Sequence, residues 1–196
     1  GALWKYDWIG RESNPPDMDR IVVAIDPAGS VSETSAETGI IVAGKAGHNL
    51  YILEDVSGKY TPKGWGSAAV NAYFRWRADR VVGEVNNGGD MVENTIRQIN
   101  ENVAYKEVRA TRGKARRAEP ISTLYEQGRG FHCGSFPELE DQMCAWISPP
   151  TGQKAEYSPD RMDAMVWAAT ELMLGSDFGW EDVEAAAKGE VEQWKL

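Results

Sequence analysis

Between Arg20 and Pro27 the chain carries five consecutive apolar residues, Ile21-Val22-Val23-Ala24-Ile25, followed by Asp26. A strand with one wet face alternates apolar and polar side chains. This run does not alternate, and β-branched residues dominate it, so it predicts a strand covered on both faces that ends at Pro27. Such a strand needs layers of structure above and below it. The chain is long enough to supply them: 196 residues, 42% hydrophobic and 26% charged, the composition of one soluble globular domain with a sizeable core.

The rest of the pattern extends this strand into a sheet. Residues 38–44 and 49–56 read as two further strands joined by a turn at Lys45-Ala46-Gly47, which makes a three-strand antiparallel meander. The period then changes. Trp65, Ala68, Ala69, Ala72, Tyr73 and Trp76 recur at helical spacing over residues 61–78. Strands at 80–85 and 105–110 alternate with helices at 90–100 and 114–127, and a short strand at 130–133 precedes helices at 137–146 and 158–174. The expected fold is α/β: a mixed sheet, an antiparallel meander plus parallel strands, with helices on both faces. Residues 1–19, with Trp4, Tyr6, Trp8 and Ile9 before Asn14-Pro15-Pro16, read as a lead-in segment that packs on a neighbouring surface. Residues 20–175 read as the domain, and 176–196 as an acidic tail or peripheral helix.

Several function classes fall away. No apolar run approaches the ~18 residues that cross a bilayer, and no basic start with an apolar core marks a secretory signal. Cys133 and Cys144 are too few for a disulfide framework. His48 and His132, without any CxxC pair, do not make a structural zinc site. A reduced, cytoplasmic setting follows. No GxxxxGK[ST] phosphate loop is present, so ATP is not bound in that way. The net charge of −9 argues against general nucleic-acid binding, but it is unevenly spread. Residues 106–132 hold seven basic and three acidic side chains, whereas 176–196 hold six acidic ones and two lysines. The basic stretch, Arg109, Arg112, Lys114, Arg116 and Arg117, lies where a strand gives way to a helix. It reads either as a set of phosphate donors or as a solvated helix start. Lys154 is a further candidate near the last helix. Trp65, Trp76 and Trp167 read as core rather than as base-stacking platforms.

Three acidic positions stand out. Asp26 ends the first strand, either as a turn residue before proline or as a ligand. Glu84 lies within Val81-Val82-Gly83-Glu84-Val85, where burial of a carboxylate demands a partner: a structural cation or a bound one. Asp160 and Asp163 open the last helix and share a face. The helix dipole accounts for Asp160 in the first turn, but not for Asp163 in an otherwise apolar helix. Three separated acids at the edges of buried elements are what a divalent metal site needs, since Mg²⁺ takes oxygen ligands.

Four segments, Ile21-Val22-Val23-Ala24-Ile25-Asp26-Pro27-Ala28-Gly29-Ser30, Glu37-Thr38-Gly39-Ile40-Ile41-Val42-Ala43-Gly44, Gly83-Glu84-Val85-Asn86-Asn87-Gly88-Gly89 and Ser158-Pro159-Asp160-Arg161-Met162-Asp163-Ala164, together resemble the nuclease domain of phage terminase large subunits. The likeness covers roughly residues 20–174. It implies an RNase H-like fold and a two-metal endonuclease that cuts concatemeric viral double-stranded DNA during packaging, in the host cell cytoplasm. Position by position it implies that Asp26 bridges two Mg²⁺ or Mn²⁺ ions, that Glu84 holds one, and that Asp163 or Asp160 holds the other. Residues 1–19 would then be the linker from an ATPase domain that this chain lacks. The portal protein and the terminase small subunit are implied partners, with the acidic tail one candidate contact. A junction resolvase on the same scaffold and a non-catalytic DNA-docking domain are the rival readings.

Overall fold

The structure, a computed structural model, describes residues 1–27, 37–85, 91–111, 113–147 and 159–174. A short 3₁₀ turn at Tyr6–Trp8 precedes strands β1 (Gly10–Arg11), β2 (Arg20–Asp26), β3 (Gly39–Ala46) and β4 (Asn49–Asp55). Helix α1 (Pro62–Arg75), β5 (Arg80–Glu84), α2 (Met91–Ile99), β6 (Tyr105–Val108), α3 (Lys114–Glu126), β7 (Gly130–His132), α4 (Pro137–Ala145) and α5 (Asp160–Met173) follow. The sheet order is β1-β7-β4-β3-β2-β5-β6. β2, β3 and β4 form the antiparallel meander; β5 and β6 add in parallel on one side, β7 and β1 on the other. The mixed α/β sheet expected from the sequence is therefore present, with helices on both faces.

The two cores follow from strand alternation. Val22 and Ala24 of β2, Ile41 and Ala43 of β3, and Leu50 and Ile52 of β4 face one core, built with α3, α4 and α5. Val23, Ile25, Ile40, Val42, Tyr51 and Leu53 face the other, built with α1 and α2. The uninterrupted apolar run is thus explained: both faces of β2 are covered. Side chains two apart share a face. Asp26 continues the Val22–Ala24 row and Glu84 continues from Val82, so both carboxylates point to the α5 side.

A close approach fixes where α5 begins. Gly39 is the cross-strand partner of Asp26. A Cβ there would lie 2.0 Å from the Asp160 carbonyl oxygen and 3.0 Å from the Ala164 Cβ. Only hydrogen leaves room for the first turn of α5 against the end of the sheet. The sequence places Ser158 at the helix cap with Pro159 inside; instead Pro159 flanks a helix that starts at Asp160, and Ser158 lies outside the described residues. The first-turn amides of Arg161 and Met162 donate to Gln142 Oε1 at 3.0 and 3.1 Å, so the cap comes from α4, a neighbouring helix.

The other end of α5 holds a compact ion cluster. Buried Glu171 accepts from Arg20 at 2.9 Å, Arg80 at 3.1 Å and Lys106 at 2.8 Å. Arg161, between the two acids of the first turn, is drawn away by Glu37 and Asp55.

The segment expected as a linker is packed onto the body. Trp4 is fully buried, Ser122 donates to the Leu3 carbonyl, and β1 pairs with β7. Tyr6 is exposed but donates to Asp141 at 2.6 Å. Arg11 grips Glu140 with two bonds of 2.5 and 2.7 Å, and Glu140 also meets His132, which meets Tyr125. Burial pushes Glu140 up, but the bonds from His132 and Arg11 outweigh it and hold it at about 2. Among the described residues no helix is long and apolar enough to cross a membrane. The expected acidic tail, 176–196, lies outside the described residues.

Candidate metal centre

Three elements bring the acidic residues together. Asp26 sits at the last position of β2, Glu84 at the last position of β5, its parallel neighbour, and Asp160 and Asp163 in the first turn of α5. Functional groups collect at such strand ends, where connections diverge to either side. Asp26 is 6% exposed and Asp163 4%.

Electrostatics mark Asp26 as the least compensated member. Its proton is held well above the usual aspartate range, first by burial and then by the charges of Asp163, Glu84 and Asp160; Lys114 opposes this only in part. Among the described residues no hydrogen-bond donor meets its carboxylate. Asp163 is also raised, chiefly by burial, but there the ion pair with Lys114 and the nearby Arg117 pull the other way. Glu84 accepts a hydrogen bond from the Trp167 indole at 2.8 Å and faces the Arg117 guanidinium at 3.8 Å. Arg117 in turn lies 4.5 Å over the Trp167 ring.

The basic stretch therefore divides. Arg109 and Arg116 are exposed, and Arg109 pairs with Glu107. Lys114, a phosphate donor in the sequence reading, turns inward to Asp163. Arg117 is buried, with Nε and Nη1 lacking hydrogen-bond partners among the described residues, rather than presented on the surface to phosphate. Arg112 and Lys154 lie outside the described residues. Trp167 is core, as expected from its apolar surroundings, and is also a Glu84 donor, which the sequence reading missed. Its position four residues after Asp163, on the same helical face, is the signal that would have found it. Trp65 is buried, and Trp76 is half-buried with its indole on Glu54.

The donor set suits a hard divalent cation: all oxygen, buried, and mutually repelling until positive charge arrives. The geometry is not a closed cage. Among the described residues no three acidic, histidine or cysteine side chains converge tightly enough to enclose an ion. A cation here would be held by two carboxylates at a time, with water or substrate oxygens completing its shell, a mode Mg²⁺ favours.

A mixed sheet of this order with acids at its diverging strand ends defines an RNase H-like nuclease scaffold. The family model that matches residues 23–172 is the terminase RNaseH-like domain, and the chain belongs to that family. No curated protein matches the sequence. Among solved structures, a full-length large terminase from a thermophilic bacteriophage superposes with TM-score 0.67 at 9% identity, over 86% of this chain and 44% of that one. The large terminase nuclease of the thermophilic phage G20c superposes with TM-score 0.66 (11% identity, 87% and 97% covered) when magnesium is bound, and 0.69 (11%, 87% and 97%) when cobalt is bound. The nuclease domain of the large terminase subunit gp2 of the bacterial virus Sf6 gives 0.66 at 12% identity, over 86% and 98%. This chain thus spans less than half of the first of these large terminases and nearly all of the two nuclease domains.

Proposed function

We propose that this chain is a metal-dependent endonuclease that cuts concatemeric viral double-stranded DNA during genome packaging in the host cell cytoplasm. The observation that carries this reading is the meeting of Asp26, Glu84, Asp160 and Asp163, from three elements, in surplus over the described cations beside them. Family membership and the magnesium- and cobalt-bound G20c nuclease support it. Packaging itself belongs to a longer protein, since an ATPase domain, portal protein and small subunit are the partners this reading calls for.

Asp26, central and the least compensated, is the residue that would bridge two ions of Mg²⁺ or Mn²⁺. Glu84 would hold one, oriented by the Trp167 N–H, and Asp163 or Asp160 the other. When bound, the cations lower the pKa of water and neutralise charge at the leaving oxygen of the phosphodiester. The protein's own part is orientation: β2 and β5 fix two carboxylates at parallel strand ends, and α5 brings the others against them across Gly39. Arg109 and Arg116, exposed beside the centre's α3 wall, are the described residues offered to DNA phosphates.

Nicking of supercoiled plasmid with MnCl₂ tests the reading. The expected result is cleavage that Asp26→Asn reduces by more than ~100-fold, beyond the loss caused by removing an outer partner of a metal ligand. Retained DNA binding with no nicking in the parent protein would identify a docking domain instead. Preference for four-way junctions over linear duplex would identify a resolvase.

A further inference from the structure

The two described cations at the centre come from one helix, one turn apart, yet they are held differently. Arg117 has a side chain 8% exposed, lies flat on Trp167, and is walled in by the α3–α5 core. Nothing short of unpacking α3 removes it. Lys114 stands at the first position of α3, its side chain 22% exposed, with a flexible stem and an ammonium directly on Asp163. Its positive charge sits where a ligand of Asp163 would sit. With Lys114 there, the described carboxylates do not converge on one point. Asp26, Glu84 and Asp163 are three carboxylates against these two cations, so that set is formally one charge negative.

We propose that Lys114 is an exchangeable counter-ion, a positioning residue that occupies Asp163 until a divalent cation displaces it and that then turns outward to solvent or to a DNA phosphate. This rests on the metal-dependent reading above. Arg117 stays in place and keeps Glu84 from repelling its neighbours. The division explains why one helix supplies both a fixed and a movable charge. It also closes the centre against an empty, self-repelling state: one cation leaves as another enters.

Displacement has a readout separate from cleavage. Lysines of the intact chain are labelled by reductive methylation with and without MnCl₂, and peptides are quantified by mass spectrometry. Lys59 and Lys63, both exposed, serve as internal references. Labelling of Lys114 is expected to speed up about fivefold with Mn²⁺, the factor released when a modest ion pair opens, while Lys59 and Lys63 do not change. In parallel, Mn²⁺ binding without DNA, followed by electron paramagnetic resonance, is expected to tighten about tenfold in Lys114→Gln, the size of effect an outer partner exerts on a metal site. Mn²⁺ that binds the parent protein in an Asp26-dependent way while Lys114 labelling stays slow overturns the exchange and leaves the nuclease reading standing. Absence of Mn²⁺ binding in both the parent and Lys114→Gln overturns both.

Discussion

The two ends of α5 solve the same problem with opposite charge ratios. At the Glu171 end one buried acid meets Arg20, Arg80 and Lys106. At the Asp163 end the described cations beside Asp26, Glu84 and Asp163 are Lys114 and Arg117, two against three, with Asp160 adding a further acid. The same strands serve both ends. β2 starts with Arg20 and finishes with Asp26; β5 starts with Arg80 and finishes with Glu84. A buried acid outnumbered by cations is already satisfied and holds layers together. Buried acids that outnumber their cations are an unsatisfied charge, and unsatisfied charge is what a metal-dependent centre needs.

The sharpest way to break this contrast is a pair of amide substitutions. Asp26→Asn is expected to remove cleavage yet raise the melting temperature of the metal-free protein, because it deletes a poorly compensated buried charge. Glu171→Gln is expected to do the reverse, lowering stability by about 2–3 kcal/mol, or roughly 5–10 °C, while cleavage per folded molecule persists. Calorimetry together with the plasmid assay reads both. If the two variants shift stability in the same direction, the contrast fails.

Gly39→Ala sharpens the geometric side. The added methyl meets the Asp160 carbonyl, so a destabilisation of about 1–3 kcal/mol is expected, with reduced cleavage as α5 is pushed from Asp26. Mn²⁺ titration and thermal melts check it. Trp167→Phe keeps the ring under Arg117 and removes the N–H on Glu84. About 1 kcal/mol of stability is expected to go, along with roughly a tenfold loss in Mn²⁺ affinity.

The smallest effect is in pH. Asp26 holds its proton more tightly folded than unfolded, so it stabilises the metal-free fold while protonated. That part declines as pH rises from the ordinary aspartate value, about 3.9, through the raised folded value. Glu171 is the opposite case. Burial raises it, but the bonds from Lys106 and Arg20 win and depress it. Its contribution is full above the ordinary glutamate value, about 4.3, and is lost as pH falls through the depressed one. Melts across pH should show each slope flatten only in its own variant, and Mg²⁺ should flatten the Asp26 slope in the parent.

Much of this was legible because periodicity reports burial. The β2 run, the alternation of β4 and the spacing in α1 each name the faces that are covered, and all three elements form where the pattern places them. The acids were legible because a carboxylate at a buried edge is conspicuous. Arg117 was not, since in a basic run it reads as one more solvated charge. Its place on the stripe shared with Ile121 and Leu124 was the available signal. β1 escaped notice because two residues carry no alternation. The partners of Glu171 come from three separate strands, and no local pattern records a contact between residues so far apart in the chain.

The docked start of the chain has a mechanical consequence. Trp4 is sunk in the core, Arg11 is clamped to Glu140, and β1 lies along β7. Load applied at residue 1 therefore enters the sheet within a few residues instead of being absorbed by slack. The first eleven residues act as a stiff coupling, and whatever pulls on them steers the whole body.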